Sequence, residues 1–163
     1  MIFCGCPVPA DEEEKNRMSE FARETRMKGI IAPEERTETI AEYKKVCGDK
    51  MSLFSLREGC FEDAIGWGAD AVISYLSTLI PETCVRRESD IRYHSHRRPA
   101  EEKGVLARLD SLMLAASSRP AVAREVLRNA WGVDCGSVRP PWTEMTEEDR
   151  KIAAECVGVI RGM

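Results

Sequence analysis

The sequence predicts an α/β fold in which a parallel sheet comes first and a purely helical region follows. Three observations carry that expectation. Short apolar runs alternate with amphipathic stretches as β-α-β-α-β-α-β up to about Pro81. The runs are apolar throughout, as strands covered on both faces require. Beyond Pro81 only helical periodicities remain.

The first run, IFCGC (Ile2 to Cys6), is short, apolar and closed by Pro-Val-Pro, which suits a buried strand ending in a turn. From Ala10 to Thr25 the acids come early and the basic residues late, with Met18, Phe21 and Ala22 at i, i+3, i+4. That pattern predicts an amphipathic helix whose charges complement its dipole. MKGIIA (Met27 to Ala32) predicts a second strand. The stretch from Pro33 to Lys50 predicts a helix: proline sits near its start, Ile40, Tyr43 and Val46 share one face, and Gly48 occupies a C-cap position. MSLFSL (Met51 to Leu56) predicts a third strand, Arg57 to Gly68 a short helix, and ADAVISYL (Ala69 to Leu76) a fourth strand. One or two helices are expected over 82–116, another from Pro120 to Trp131, and a last from about Thr146 to Arg161. Thr146 and Asp149 open that last helix as a capping box, and Ile152, Ala153, Cys156 and Ile160 form its apolar face.

Composition narrows the function. The chain has 163 residues, about one average domain, and 43% hydrophobic residues are enough for a core. A formal net charge of -4 provides no basic field to recruit nucleic acid. The N-terminus lacks a basic leader region and no stretch approaches the roughly 20 apolar residues of a membrane span, so a cytoplasmic protein without membrane contact is expected. The seven cysteines, Cys4, Cys6, Cys47, Cys60, Cys84, Cys135 and Cys156, form no C-x-x-C pair and read as reduced, mostly buried small hydrophobes. Cys4 and Cys6 share one side of a strand, which is compatible with a soft metal, but no further ligands cluster with them. Neither a metal nor a cofactor is expected.

His94 and His96 form an H-x-H pair inside a run with five arginines, Arg86 to Arg98. The run is too polar for a buried strand and has no third ligand, so a solvated loop or helix face is expected. Glu88, Asp90, Glu101 and Glu102 offset the arginines. No glycine-rich phosphate loop, G-x-S-x-G elbow, H-E-x-x-H or paired-carboxylate motif is present. Attention therefore falls on the strand C-termini, where parallel α/β folds bind ligands: Cys4 to Pro7, Ile31 to Pro33, Leu56 to Glu58 and Tyr75 to Thr78. Lys28, at the start of the second run, is either a reactive amine or a solvated flank.

GADAVISYLSTLIPE (Gly68 to Glu82) resembles the last barrel strand of the dihydrodipicolinate synthase and N-acetylneuraminate lyase family, with its approximate pattern G-x-x-G-V-I-S-x-x-x-N-x-x-P. VLRNAWGVDCGSVRPPWTEMTEED (Val126 to Asp149) is similar to the ending of that family, a helix reaching a glycine and then v-R-x-P-x-x-x-l-s/t-x-E-x. The segments Met51 to Ala69 and Arg26 to Lys50 are similar to the two strand and helix units before these, and Gly29 to Pro81 fits without a gap. The resemblance covers about the second half of the family. It implies a partial TIM (β/α)8 barrel, strands resembling 5 to 8, followed by a C-terminal helical region: residues 1–84 a half-barrel and 85–163 the helical extension.

Members of that family form a Schiff base between a lysine and a pyruvate-like keto acid. The lysine lies two residues after the glycine that matches Gly29, a place held here by Ile31. Such a lysine must be a desolvated amine of lowered pKa, and isoleucine offers no nucleophile. Lys28 has opposite strand parity to Ile31, so only a bulge could exchange them. The family's tyrosine aligns with Cys4 and a pocket glycine with Leu56, while Ile73, Ser74 and Arg139 match the pattern. Ile73 is the one substrate-binding candidate, equally explained as core, and no catalytic residue is expected. The resemblance implies a divergent, truncated lyase relative without Schiff-base activity of its own. An alternative is a non-catalytic subunit that completes or regulates a longer barrel paralogue, and a third is an enzyme using Cys4 or Cys6 as nucleophile. The expected partners are a second copy or a complementary barrel half, with a keto acid as possible ligand.

Overall fold

The computed structural model describes residues 2–4, 11–32, 39–48, 51–56, 61–93 and 100–163. The chain forms two compact units, Met1–Ser74 and Tyr75–Met163.

The first unit is a parallel sheet with helical crossovers. Strands β1 (Ile2–Cys4), β2 (Gly29–Ala32), β3 (Ser52–Ser55) and β4 (Ala71–Val72) lie in the order β1-β2-β3-β4, every pair parallel. Helices α1 (Glu12–Glu24), α2 (Thr39–Cys47) and α3 (Phe61–Gly66) connect them. Asp11 caps α1, its carboxylate accepting from the Glu14 N–H at 2.8 Å, and Glu12, Glu13 and Glu14 place negative charge where the dipole favours it.

Alternation along the strands sorts the side chains. Ile30, Ala32 and Leu53 are buried with Ala22, Met27, Ile40, Tyr43, Ala64 and Ala69, so this parity faces the helices. The face expected for α2 is buried as a whole: Ile40, Tyr43 and Val46 all lie inside. On α1 only part of the expected face is inside. Ala22 is buried and Met18 packs beside it, whereas Phe21 is exposed.

The opposite parity, Gly29, Ile31, Ser52, Phe54, Ala71 and Ile73, forms the second face of the sheet. Gly29 is required there. A Cβ on it would lie 2.7 Å from the Ser52 carbonyl oxygen and 3.2 Å from the Phe54 ring. Gly29→Ala should therefore destabilise the protein by about 1–3 kcal/mol through overpacking, measured by urea unfolding.

The fourth strand is shorter than the expected run from Ala69 to Leu76. Pairing stops after Val72, and the Ile73 N–H still donates to the Ser55 carbonyl at 2.8 Å. Tyr75 then opens the short helix α4 (Leu76–Leu79), because Leu76 and Leu79 are drawn into the helical core. A continuous apolar run does not by itself distinguish a buried strand from a buried helical turn. For the same reason the boundary between the two units falls after Ser74, whereas the resemblance placed the half-barrel at 1–84: Ile80 and Cys84 also pack in the helical unit.

The second unit contains α4, α5 (Pro81–Arg92), α6 (Ala100–Ala115), α7 (Arg119–Trp131) and α8 (Glu147–Arg161). The 82–116 region is thus two helices. Leu76, Leu79, Leu109, Met113, Val122, Val126, Ile152, Cys156 and Ile160 form one core. The left-handed Gly132, φ 71°, ends α7 after Trp131. Every residue the sequence assigned to the apolar face of α8 is buried, and Val157 joins them.

The expected capping box forms. Thr146 Oγ accepts from the Asp149 N–H at 3.1 Å, and the Asp149 carboxylate accepts from the Thr146 N–H at 3.0 Å. Asp149 does more than cap: its carboxylate also accepts from the Ser117 N–H at 2.8 Å and from the Ser117 hydroxyl, tying α8 to the α6–α7 turn. Burial pushes its pKa up, but the donors from Ser117 and Thr146 outweigh burial and hold it at about 2, below the usual 3.8. Because the folded pKa is depressed, the contribution is full above pH 3.8 and is lost as pH falls toward 2. Acid titration should show stability falling through that window. Asp149→Ala, which strands the three donors, should cost about 2 kcal/mol and flatten that part of the profile, both readable by calorimetry.

Candidate functional site

The parallel order brings the four strand C-termini to one edge, the edge at which such sheets bind ligands. It carries Cys4, Ile31 and Ala32, Ser55 and Leu56, and Ile73 with Ser74. Register places Cys4 beside Ile31, Ile31 beside Phe54, and Phe54 beside Ala71. Ile31 is half-buried on the face opposite the helices. Ile73 continues that face beyond β4 and is 44% exposed. Leu56, half-buried, follows β3 directly. The described edge is thus predominantly apolar.

Lys28 is not at this edge. It precedes Gly29, the first residue of β2, and so sits at the N-terminal side of the sheet, about 10 Å of strand away from the Ile31 position. Its side chain is exposed. Its carbonyl accepts from the Ser52 N–H at 2.9 Å, which fixes the backbone in register. The question raised by the sequence is answered in favour of the solvated flank. Lys28→Ala should change stability by less than about 0.5 kcal/mol in chemical denaturation, as an exposed site without a special backbone role does.

The remaining sequence candidates scatter. Cys6, His94 and His96 lie outside the described residues. Ser74 ends the first unit, half-buried. Arg139 is exposed in the helical unit, where its carbonyl accepts from the Trp142 N–H at 3.0 Å. Cys84 and Cys156 are buried in the helical core and Cys135 is exposed. Burial, with some help from the Glu155 charge, raises the Cys156 thiol to about 11, so it packs as a small hydrophobe and stays protonated. Among the described residues no three His, Cys, Asp or Glu side chains gather as a metal site. None of the described helices is long and apolar enough to cross a membrane.

The helical unit contains a cavity that local sequence patterns do not reveal. It has a volume of about 460 Å³ and is lined by Leu79, Ile80, Leu127, Trp131 and Ile160, with Glu82 at its rim. The Trp131 indole N–H donates to the Leu79 carbonyl at 2.8 Å and sets one wall. Its walls come from the α4–α5 junction and the ends of α7 and α8, so only the tertiary packing assembles it. Near it, Arg128 pairs with Asp134 at 2.9 Å. Hydrogen bonding from Arg128, with a further bond from the Gly136 N–H, lowers the Asp134 pKa.

No protein-family model matches the sequence, and comparison with curated proteins finds no relative. Solved structures do match. A sialic acid aldolase from Ruminococcus gnavus, in a form with its catalytic lysine mutated, superposes with a TM-score of 0.80 at 18% identity, over 99% of this chain and 53% of that one. A dihydrodipicolinate synthase from Bacillus anthracis matches with a TM-score of 0.76 at 21% identity, over 96% of this chain and 53% of that one. A prophage protein of the dihydrodipicolinic acid synthase family from Escherichia coli K12, solved in complex with pyruvate, matches with a TM-score of 0.74 at 13% identity, over 90% and 51%. This chain spans about half the length of each of these three structures. In fold, therefore, it is part of a TIM-barrel architecture, corresponding to about half of a sialic acid aldolase or dihydrodipicolinate synthase chain.

Proposed function

We propose that this protein is a divergent relative of the dihydrodipicolinate synthase and N-acetylneuraminate lyase family, without Schiff-base aldolase activity on its own. One observation carries the reading. Ile31 stands where the resemblance calls for the reactive lysine, in mid-sheet between Cys4 and Phe54, and the nearest lysine in sequence is exposed at the opposite end of the strand. An aldolase matched in fold depends on a catalytic lysine, as its mutated form records, and another match binds pyruvate. A side chain without a nitrogen cannot condense with a carbonyl carbon.

What the edge retains is contact surface. Among the described edge residues, the side chains of Ile31, Leu56 and Ile73 offer apolar contact to the methyl end of a keto acid, so Ile73 acts, in this reading, as a lining residue. The role that remains is association: a non-catalytic subunit that completes or regulates another barrel half, or pairs with its own copy. The second sheet face supports this, because parallel sheets are stable almost only when both faces are covered.

The test is reductive trapping. Purified protein incubated with pyruvate and borohydride should show no mass increase by intact mass spectrometry, while an aldolase that retains its lysine is trapped in the same buffer. A stable pyruvate adduct on any lysine would overturn the reading.

A further inference from the structure

We draw no further inference here: the strongest candidate, the cavity of about 460 Å³ beside Trp131 in the helical unit, carries nothing because nothing in the structure shows what occupies it, the start of α5 at Pro81 favouring an anion while the Glu82 carboxylate at its rim favours a cation.

Discussion

The parallel pairing of neighbours along β1-β2-β3-β4 is the constraint on which the rest of the first unit depends. Parallel neighbours cannot be joined by a tight turn, so each connection must cross over, and the crossovers here are the helices α1, α2 and α3. The pleat then divides each strand between two environments. Ile30, Ala32 and Leu53 are removed from water by the helices, while Gly29, Ile31, Phe54 and Ala71 form the other side. The same direction of travel gathers the four C-termini at one edge and puts Lys28 at the other. The fold and the candidate site follow from one register.

The helical unit is held by a different device. Apolar packing brings α4 to α8 together without direction, but the Asp149 carboxylate orients them, accepting from its own capping partner and from Ser117 across the turn before α7. A buried carboxylate with several donors is stabilising only as a charged acceptor, which is why its pKa lies low despite burial. Pairs such as Arg108 with Glu155 and Lys151 with Glu148 are exposed and contribute little by comparison. The unit's stability therefore concentrates in one apolar core and one polar junction.

Set against the solved aldolases and synthases, the chain shares their fold at 13–21% identity. Packing positions tolerate exchange among apolar residues of similar volume, so a fold persists through extensive substitution. A Schiff-base site does not, because it requires one nitrogen at one place.

Much of this was legible in the sequence. The alternation of apolar runs with amphipathic stretches predicted the parallel α/β unit and the helical region after it, and the spacing of Ile40, Tyr43 and Val46 predicted a face that is indeed buried. The Thr146 and Asp149 box could be read because capping is local chemistry, settled within one turn. The parity of Ile31 against Lys28 was likewise available, since strand alternation needs no tertiary information. The extent of β4, the exposure of Phe21, the Ser117 bond to Asp149 and the cavity beside Trp131 were not. Each depends on residues far apart in the chain: Leu76 leaves the strand because a helical core takes it, and Asp149 gains two donors from Ser117, 32 positions away. Local periodicity determined which elements form and which side of each is apolar, whereas tertiary packing decided where they end and what they meet, because those outcomes are set by competition among distant contacts.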